Sequence, residues 1–363
     1  MADALPCIVV TGVSGNLGQR LLPLLSGFRV VGVDFRPPKP DLSLQFVKMD
    51  FSLESSCLEF LGLLREVRPV AVVHLAFVMD AVRTGILDKN RMWQANVAGT
   101  ARITEAVTEA NREWPMVEKF IFLSSVSAYG PNLSTPATED RPLAAHTYVY
   151  GMHKMEADRV VQQRAPALRG CSAYILRPHI FAGAGIENYF MEAFRGIPGG
   201  TSKRAARMRT QGKRLPCLLP SGNQYLHHHV QFVHIDDVAR LIAFILNKTE
   251  PESQRLTILN IAGSGALTYE QCVRLANAKL RRVPTEKLFE LVLRFLWARK
   301  LSTIPPDVAP YMLSDTLMDT SRLKQFLGHE YDDVVRYSAA DAFADCFRGV
   351  ESKFQAIPAG KSN

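Results

Sequence analysis

The sequence predicts an α/β fold, a doubly wound parallel sheet joined to a smaller, mostly helical lobe. Three observations predict it. Strand-like and helix-like segments alternate through the first half of the 363 residues, a glycine-rich turn directly follows the first strand, and after Pro178 the alternation gives way to a stretch rich in Gly, Pro and basic residues.

The elements follow in order. Residues 7–11 are a short apolar, β-branched run that ends in the glycine turn, and 16–25 read as the helix it opens. Strands are expected at 28–34, 45–49 and 70–75, with helices over 55–68 and 90–111 between and after them. Residues 119–124 and 173–177 are the fifth and sixth strands, with a helix over 147–163. Runs this apolar fit strands covered on both faces. Periodicity is weak over 182–228. Then 230–235 reads as a strand, Asp236 caps a helix over 237–247, 256–261 is a strand, Thr268 caps a helix over 269–279, and 286–299 is amphipathic.

Composition narrows the class. At 47% hydrophobic and 21% charged, the chain is globular rather than disordered or fibrous. Of the net charge of +8, seven positive charges fall in residues 195–214 (Arg195, Lys203, Arg204, Arg207, Arg209, Lys213 and Arg214), which hold no acid. The remainder is nearly neutral, which argues against a nucleic-acid-binding surface. The six cysteines form no CxxC pair and fit buried free thiols of a reducing compartment. The first residues, MADALPC, carry no basic segment ahead of an apolar run, and the apolar stretch 288–298 is short and interrupted by Glu290 and Arg294. A soluble cytoplasmic protein without stable membrane insertion is expected.

The turn Thr11-Gly12-Val13-Ser14-Gly15-Asn16-Leu17-Gly18 lies between a strand and a helix. Glycines at this spacing allow a tight turn, close backbone approach to a pyrophosphate, and close helix packing, so the segment reads as a Rossmann-type dinucleotide loop. Asp34 ends the second strand, 16 residues after Gly18, where a carboxylate accepts from ribose hydroxyls and repels a 2′-phosphate. That favours NAD, while Arg36 keeps NADP open. The expected division is a dinucleotide-binding domain from 1–180 plus 229–262, a substrate lobe from 181–228 plus 263–347, and a loose tail over 348–363.

Tyr150 and Lys154, four apart on the helix predicted over 147–163, share one face. An ammonium beside a phenol favours the phenolate and makes Tyr150 a usable acid/base. Together with the glycine loop, the segment Leu123-Ser124-Ser125-Val126-Ser127-Ala128-Tyr129-Gly130 and the YGMHK run at 150–154, the chain resembles the extended short-chain dehydrogenase/reductase family, also called the NAD-dependent epimerase/dehydratase family. Further matches are Asp50, His74-Leu75-Ala76, the NVAGT segment at 96–100, Arg177-Pro178 and the QFVHIDDVA segment at 231–239, and the likeness runs from about residue 6 to 262.

The resemblance implies that Ser125 hydrogen-bonds the substrate oxygen, Tyr150 exchanges its proton, and Lys154 holds the nicotinamide ribose and tunes Tyr150. Ser124 and Ser127 are the alternatives for the hydroxyl. Tyr129 and Tyr148, without a lysine four residues on, read as packing residues. The resemblance also implies NAD contacts from Gly12, Gly15, Asn16, Leu17, Gly18, Asp34, Asp50, Phe51, Leu75, Ala76, Asn96, Ser124, Tyr150, Lys154, Pro178 and Ile180, and a homodimer.

For the reaction, Val126 and Ser127 stand where dehydratases carry an Asp-Glu pair, which disfavours dehydration. UDP-sugar epimerisation, as in UDP-glucose 4-epimerase, is the leading expectation, with Ser125, His179 and Asn188 as substrate contacts. Val230 occupies the position of the diphosphate-binding arginine, which turns attention to the basic stretch 195–214, either as a replacement clamp or as a solvated loop. The alternatives are a dehydrogenase or reductase of an apolar alcohol or ketone, of 3β-hydroxysteroid or dihydroflavonol type, and a non-catalytic NAD(P)-binding regulator. The apolar helix at 286–299 reads as core or lid, with a membrane-associating face as the sharper option. His227, His228 and His229 invite a metal, but no cysteine or carboxylate nearby completes a set and no metal is expected.

Overall fold

The computed structural model describes residues 5–39, 44–79, 88–114, 116–249 and 256–348. The expected tail lies almost wholly outside them.

Seven parallel strands form the main sheet: β1 Cys7–Thr11, β2 Arg29–Asp34, β3 Gln45–Lys48, β4 Ala71–His74, β5 Lys119–Leu123, β6 Ser172–Pro178 and β7 Leu256–Ile261. Their spatial order is β7-β6-β5-β4-β1-β2-β3. Chain direction across the sheet reverses between β1 and β4, the switch point where the carboxyl ends of strands in such sheets open a crevice. The pleat sorts the core by alternate residues. Ile8 and Val10 of β1 pack with Leu17, Leu21 and Ile242 on one face, and Val9 packs with Phe60, Leu64 and Val107 on the other. Both faces are covered by helices, as the near-continuous apolar strands require.

Several boundaries shift. The first helix is α-helical only over Asn16–Leu21 and tightens to a 3-10 turn at Leu22–Leu24, where Pro23 supplies no N–H donor. The helix expected over 90–111 is two helices, Lys89–Trp93 and Gly99–Glu113, joined by a π-turn at Gln94–Ala98. The strand expected over 230–235 is split. His229–Val230 and Phe232–His234 belong to different sheets, and the amide oxygen of the intervening Gln231 accepts from the Met318 N–H at 2.8 Å. The following helix is Ile235–Asn247, capped by the His234 ring rather than by Asp236.

The smaller lobe is helical but stitched by short strands, most of which the periodicity did not reveal. Four pair as Leu267–Thr268, His229–Val230, Thr316–Met318 and Leu133–Ala137; two more pair as Cys217–Pro220 with Leu280–Val283. The late helix Ser321–Leu327, which the sequence division assigns to this lobe, instead sends Leu323 and Leu327 into the main-sheet core. All six cysteines are free thiols; Cys57 is half-buried and the other five are buried.

One polar network runs through the interior. Arg177, at the end of β6 and 1% exposed, makes a bidentate pair with Asp158: Nε to Oδ2 at 2.9 Å and Nη2 to Oδ1 at 3.0 Å. Its Nη1 donates to the Tyr129 hydroxyl and the Glu139 carbonyl, at 2.8 and 2.9 Å. Replacing one partner strands the other charge. Arg177→Met should therefore cost about 3–5 kcal/mol of stability, read as a lowered urea midpoint at unchanged m-value. A loss below about 1 kcal/mol, the range of exposed ion pairs, would mean the pair is dispensable.

Candidate active site

β1 ends at Thr11 and the chain turns at Gly12, whose φ of +72° is left-handed. A Cβ on Gly12 would stand 2.5 Å from the Ala76 backbone nitrogen, so a glycine is needed for the loop after β1 to press on the loop after β4. The Gly12 N–H reaches the Val33 carbonyl at 2.8 Å, and the Gly15 N–H closes the turn on Gly12 at 3.0 Å. A Cβ on Gly18 would lie 2.5 Å from the Val13 carbonyl oxygen, which explains the third glycine by helix packing.

Gly12, Gly15, Asp34, Asp50, Phe51, Leu75, Ala76 and Asn96 line one cavity at the switch point. The Asp34 carboxylate accepts from the Ser14 and Arg36 backbone N–H groups, each at 3.1 Å, which fixes it at the mouth of the cavity. Asp50 is partly enclosed. Burial pushes its carboxyl up, but hydrogen bonds from Ser52 and the Arg91 guanidinium at 3.3 Å outweigh that and hold it below the usual carboxylate range. Asn96, in the π-turn, spends its amide on the Val78 backbone in both directions, at 2.7 and 2.9 Å, so it shapes the cavity wall. The π-turn is what turns Asn96 inward, a role often met where such turns interrupt helices.

A second cavity adjoins the first at Gly12, Gly15, Leu75 and Phe77 and extends past Asn16, Leu17, Gly18, Ser124, Ser125, Tyr150, Lys154, Pro178 and Ile180. Its floor is the end of β5 and the helix Val149–Arg164. Ser124 donates to Asp158 at 2.6 Å and is thereby engaged away from the cleft. Ser125 is free to serve. Its Oγ accepts from the Ser127 N–H at 3.1 Å, and it lies close enough to the Tyr150 phenol to pull its pKa down. The structure thus brings the Ser125–Tyr150 pair together and separates Ser124 from it.

The electrostatics differ from the sequence expectation in one respect. Burial pushes the Tyr150 phenol up to about 12, and the Ser125 hydrogen bond lowers it only in part. Lys154 is buried 31 residues from its acceptor in sequence, donating to the Leu123 carbonyl at 2.6 Å, and its Nζ sits 3.5 Å from the centre of the Phe77 ring. Burial holds its ammonium well below the ordinary lysine value, against the opposing pull of Asp158. In the chain alone, the expected lowering of the Tyr150 pKa by Lys154 is therefore not seen, because enclosure of both groups outweighs their attraction. Tyr150 is protonated at neutral pH.

The far end of the cleft is aromatic. Tyr148 packs edge-on against Tyr189 and Tyr311, with ring centres 5.9 and 5.8 Å apart, and Tyr150 meets Phe77 at 5.7 Å. Tyr148 thus lines the cleft besides packing. Sequence reasoning missed Tyr189, Tyr311 and Met312, which come from the smaller lobe. It also missed Asp158, although its place four residues after Lys154 on the same helix face was a usable signal.

Other expected residues take other roles. His179 lines the cleft, but its Nε2 pairs with the Thr316 carbonyl and its Nδ1 accepts from the Ile180 N–H, both at 2.8 Å, so its ring is committed to the fold. Asn188 also lines the cleft, while its side chain caps the helix Tyr189–Arg195 through the Met191 N–H at 2.9 Å and donates to the Phe181 carbonyl at 2.9 Å. Val230 is fully buried in a strand. No residue of 195–214 is among the described lining of either cavity. Arg195 and Arg209 donate instead to backbone carbonyls of Ile186, Cys346, Pro198 and Gly200. His228 and His229 flank Asp315 at 3.6 and 3.4 Å, and no group of three metal-ligating side chains occurs among the described residues.

Residues 8–262 match the model of the NAD dependent epimerase/dehydratase family. Among curated proteins, UDP-glucose 4-epimerase 4 of Oryza sativa subsp. japonica is 28% identical over 249 residues, 64% of this chain and 65% of that protein. UDP-glucose 4-epimerase of Bacillus subtilis (strain 168) is 27% identical over 267 residues, 69% of this chain and 76% of that protein. The chain spans 65%, 51% and 59% of the length of the first three curated relatives it matches. Among solved structures, MoeE5 in complex with UDP-glucuronic acid and NAD superposes with a TM-score of 0.63 at 21% identity, over 96% of this chain and 99% of that one. UDP-glucose 4-epimerase of Thermotoga maritima with UDP-glucose gives 0.64 at 16% identity, over 96% and 99%.

The two fully enclosed imidazoles at this site make stability depend on pH. Burial lowers His74 to about 3 and His179 to about 4. In the unfolded chain both protonate near the ordinary value, so the unfolded state binds more protons as pH falls below about 6.5. Stability should drop between about pH 6.5 and pH 4, by about 2 kcal/mol per imidazole from pH 7 to pH 5. Urea unfolding at those two pH values checks this, and His179→Gln should remove its share. An unchanged pH slope in that variant would contradict the assignment.

Proposed function

The chain belongs to the NAD-dependent epimerase/dehydratase family, and from that premise we propose that it is an NAD-dependent oxidoreductase or epimerase acting on a secondary alcohol or its ketone, with Ser125, Tyr150 and Lys154 as the catalytic residues. The observation that carries the reading is that Ser125, Tyr150 and Lys154 together line a cleft that is continuous with the glycine loop.

The residues fit NAD. Gly12 leaves no room for a side chain between the loops after β1 and β4, and Asp34, held by two backbone N–H groups, offers a carboxylate suited to ribose hydroxyls. NAD, when bound, supplies the hydride acceptor. The chain's own groups handle the proton and the geometry. Tyr150 holds a proton at neutral pH and delivers it to the oxygen of a ketone; in the oxidation direction it must first give that proton up, and its phenolate then takes the proton of an alcohol. Ser125 donates to the same oxygen and keeps it beside the phenol. Lys154, enclosed under Phe77, is the cation available to balance charge that develops on Tyr150.

For the substrate, the geometry favours an apolar secondary alcohol or ketone. The far end of the cleft is walled by Tyr148, Tyr189, Phe190, Val308, Tyr311 and Met312, and no arginine is among its described lining residues. A diphosphate needs a fixed cation or several donors, and Val230 and the outward basic stretch supply neither. The second reading, UDP-sugar epimerisation, is favoured by the curated relatives.

The deciding measurement offers the purified protein UDP-glucose, UDP-galactose and a panel of hydrophobic secondary alcohols with NAD. Net NADH formation from an alcohol, without interconversion of the two sugars, is the expected result; interconversion with tightly retained dinucleotide would establish the epimerase instead. In either reaction Tyr150→Phe should lower kcat by about 10²–10⁴ while dinucleotide affinity holds. Retained turnover would take Tyr150 out of the catalytic machinery, and dinucleotide binding without turnover of any substrate would leave the non-catalytic regulator as the surviving account. Asp34→Ala should weaken NAD far more than NADP, and equal losses would contradict the cofactor assignment.

A further inference from the structure

The helix Glu286–Ala298 has two apolar faces. Phe289 and Leu293 are buried in a cluster with Tyr148, Val308 and Met312, which also wall the substrate end of the cleft. Leu288, Leu291 and Phe295, at i, i+3 and i+7, share a different line of the helix and are 39%, 60% and 51% exposed. A helix lying on one core needs one apolar stripe. The second stripe is a surface that water alone covers poorly.

The rim of that stripe is cationic. Lys287 and Arg294 are exposed and seven residues apart, so they run along one side of it. The Arg299 guanidinium lies 5.3 Å from the centre of the Phe295 ring, and the exposed Lys300 follows. The basic helix Lys203–Thr210 starts at the same end. The Ser202 N–H reaches the Lys300 carbonyl at 3.1 Å and the Gly200 N–H reaches Leu301 at 3.2 Å. That sets the start of the basic helix, with the exposed Lys203, Arg204 and Arg207, next to the carboxyl end of the apolar helix, in a segment without acids. Of the helix's acids, Glu286 stands at its opposite end and takes a hydrogen bond from Tyr225, while the half-buried Glu290 lies between Lys287 and Arg294 and offsets part of their charge.

We propose that this face docks on a bilayer surface containing anionic lipid. Leu288, Leu291 and Phe295 enter the headgroup boundary, and the lysines and arginines around them meet the lipid phosphates and carboxylates. Charge complementarity selects this occupant. A second copy applied to the same patch across a two-fold axis would set cation against cation. No described helix is long and apolar enough to cross a membrane, so the contact is peripheral. The inner face of the docking helix packs directly behind the cleft wall, on Tyr148, Val308 and Met312, which would set an apolar substrate dissolved in the bilayer close to the cleft. That last point rests on the substrate reading above; the docking itself does not.

The test is sedimentation with vesicles of phosphatidylcholine containing about a third phosphatidylserine, against phosphatidylcholine alone. No substrate is used, so failure here is separate from failure of the substrate reading. The protein should pellet with the anionic vesicles and much less with the neutral ones, and raised salt should release it. Leu291→Glu with Phe295→Glu, and separately Lys203→Glu with Arg204→Glu and Arg207→Glu, should each weaken partitioning about tenfold or more, with thermal melts near wild type because all five side chains are exposed. Equal binding to both vesicle types, variants that bind like wild type, or a dimer that the Leu291→Glu, Phe295→Glu variant splits in light scattering would each overturn the proposal.

Discussion

The candidate site depends on one buried ion pair. Arg177 and Asp158 are both almost fully enclosed, and neither charge has water to fall back on. Their pairing ties the end of β6 to the middle of the helix that carries Tyr150 and Lys154. Through Tyr129 it reaches the turn after Ser125, and through the Tyr129 hydroxyl it reaches Asn260 at the end of β7 at 2.8 Å. Ser124 adds a third donor to Asp158 and Gln162 a fourth, at 2.6 and 2.7 Å. A buried network of this kind rewards only complete satisfaction. Its consequence is positional: the strand end bearing Ser125 and the helix bearing Tyr150 cannot move independently.

Enclosure sets the chemistry of the same region. A phenol and an ammonium in water would titrate near their ordinary values, but here burial raises Tyr150 and lowers Lys154. Burial works against the charged form of each, and Asp158 pulls the other way on Lys154. A proton donor is therefore ready at neutral pH, and the lysine responds strongly to any anion that develops nearby. The adjoining histidines follow the same rule. The Thr100 hydroxyl donates to the Asn96 carbonyl at 2.6 Å, so it accepts from His74 Nε2, and His74 Nδ1 accepts from Thr11. One neutral ring thus joins the ends of β1 and β4 to the start of the helix Gly99–Glu113.

How much of this was legible in the sequence follows from distance along the chain. The glycine loop and the Tyr150–Lys154 spacing are local patterns, and the structure holds both in the expected elements. Asp158 belongs to the same helix face, but its partner Arg177 lies on another element, so the pairing carried no local signature. The π-turn at Gln94–Ala98 adds one residue to a turn, which leaves the apolar period almost unchanged. The strand break at Gln231 is invisible because both halves are apolar. Tyr311 and Met312 reach the cleft from more than 150 residues beyond Tyr150, a placement that only tertiary packing specifies.

The basic stretch shows why composition alone misleads about ligands. Seven positive charges near a substrate lobe suggest an anion clamp inside it. Yet a guanidinium serves an interior anion only if its own donors are free and aimed inward. Arg195 and Arg209 direct guanidinium donors to backbone carbonyls, which ties down the loop and the basic helix. Lys203, Arg204 and Arg207 point to the exterior. Charge that is structural at its root and solvated at its tip acts outward, on whatever meets the surface. The cleft itself is walled by aromatic and apolar side chains, Tyr148, Tyr189, Tyr311 and Met312 among them, and none of the basic stretch is among its described lining.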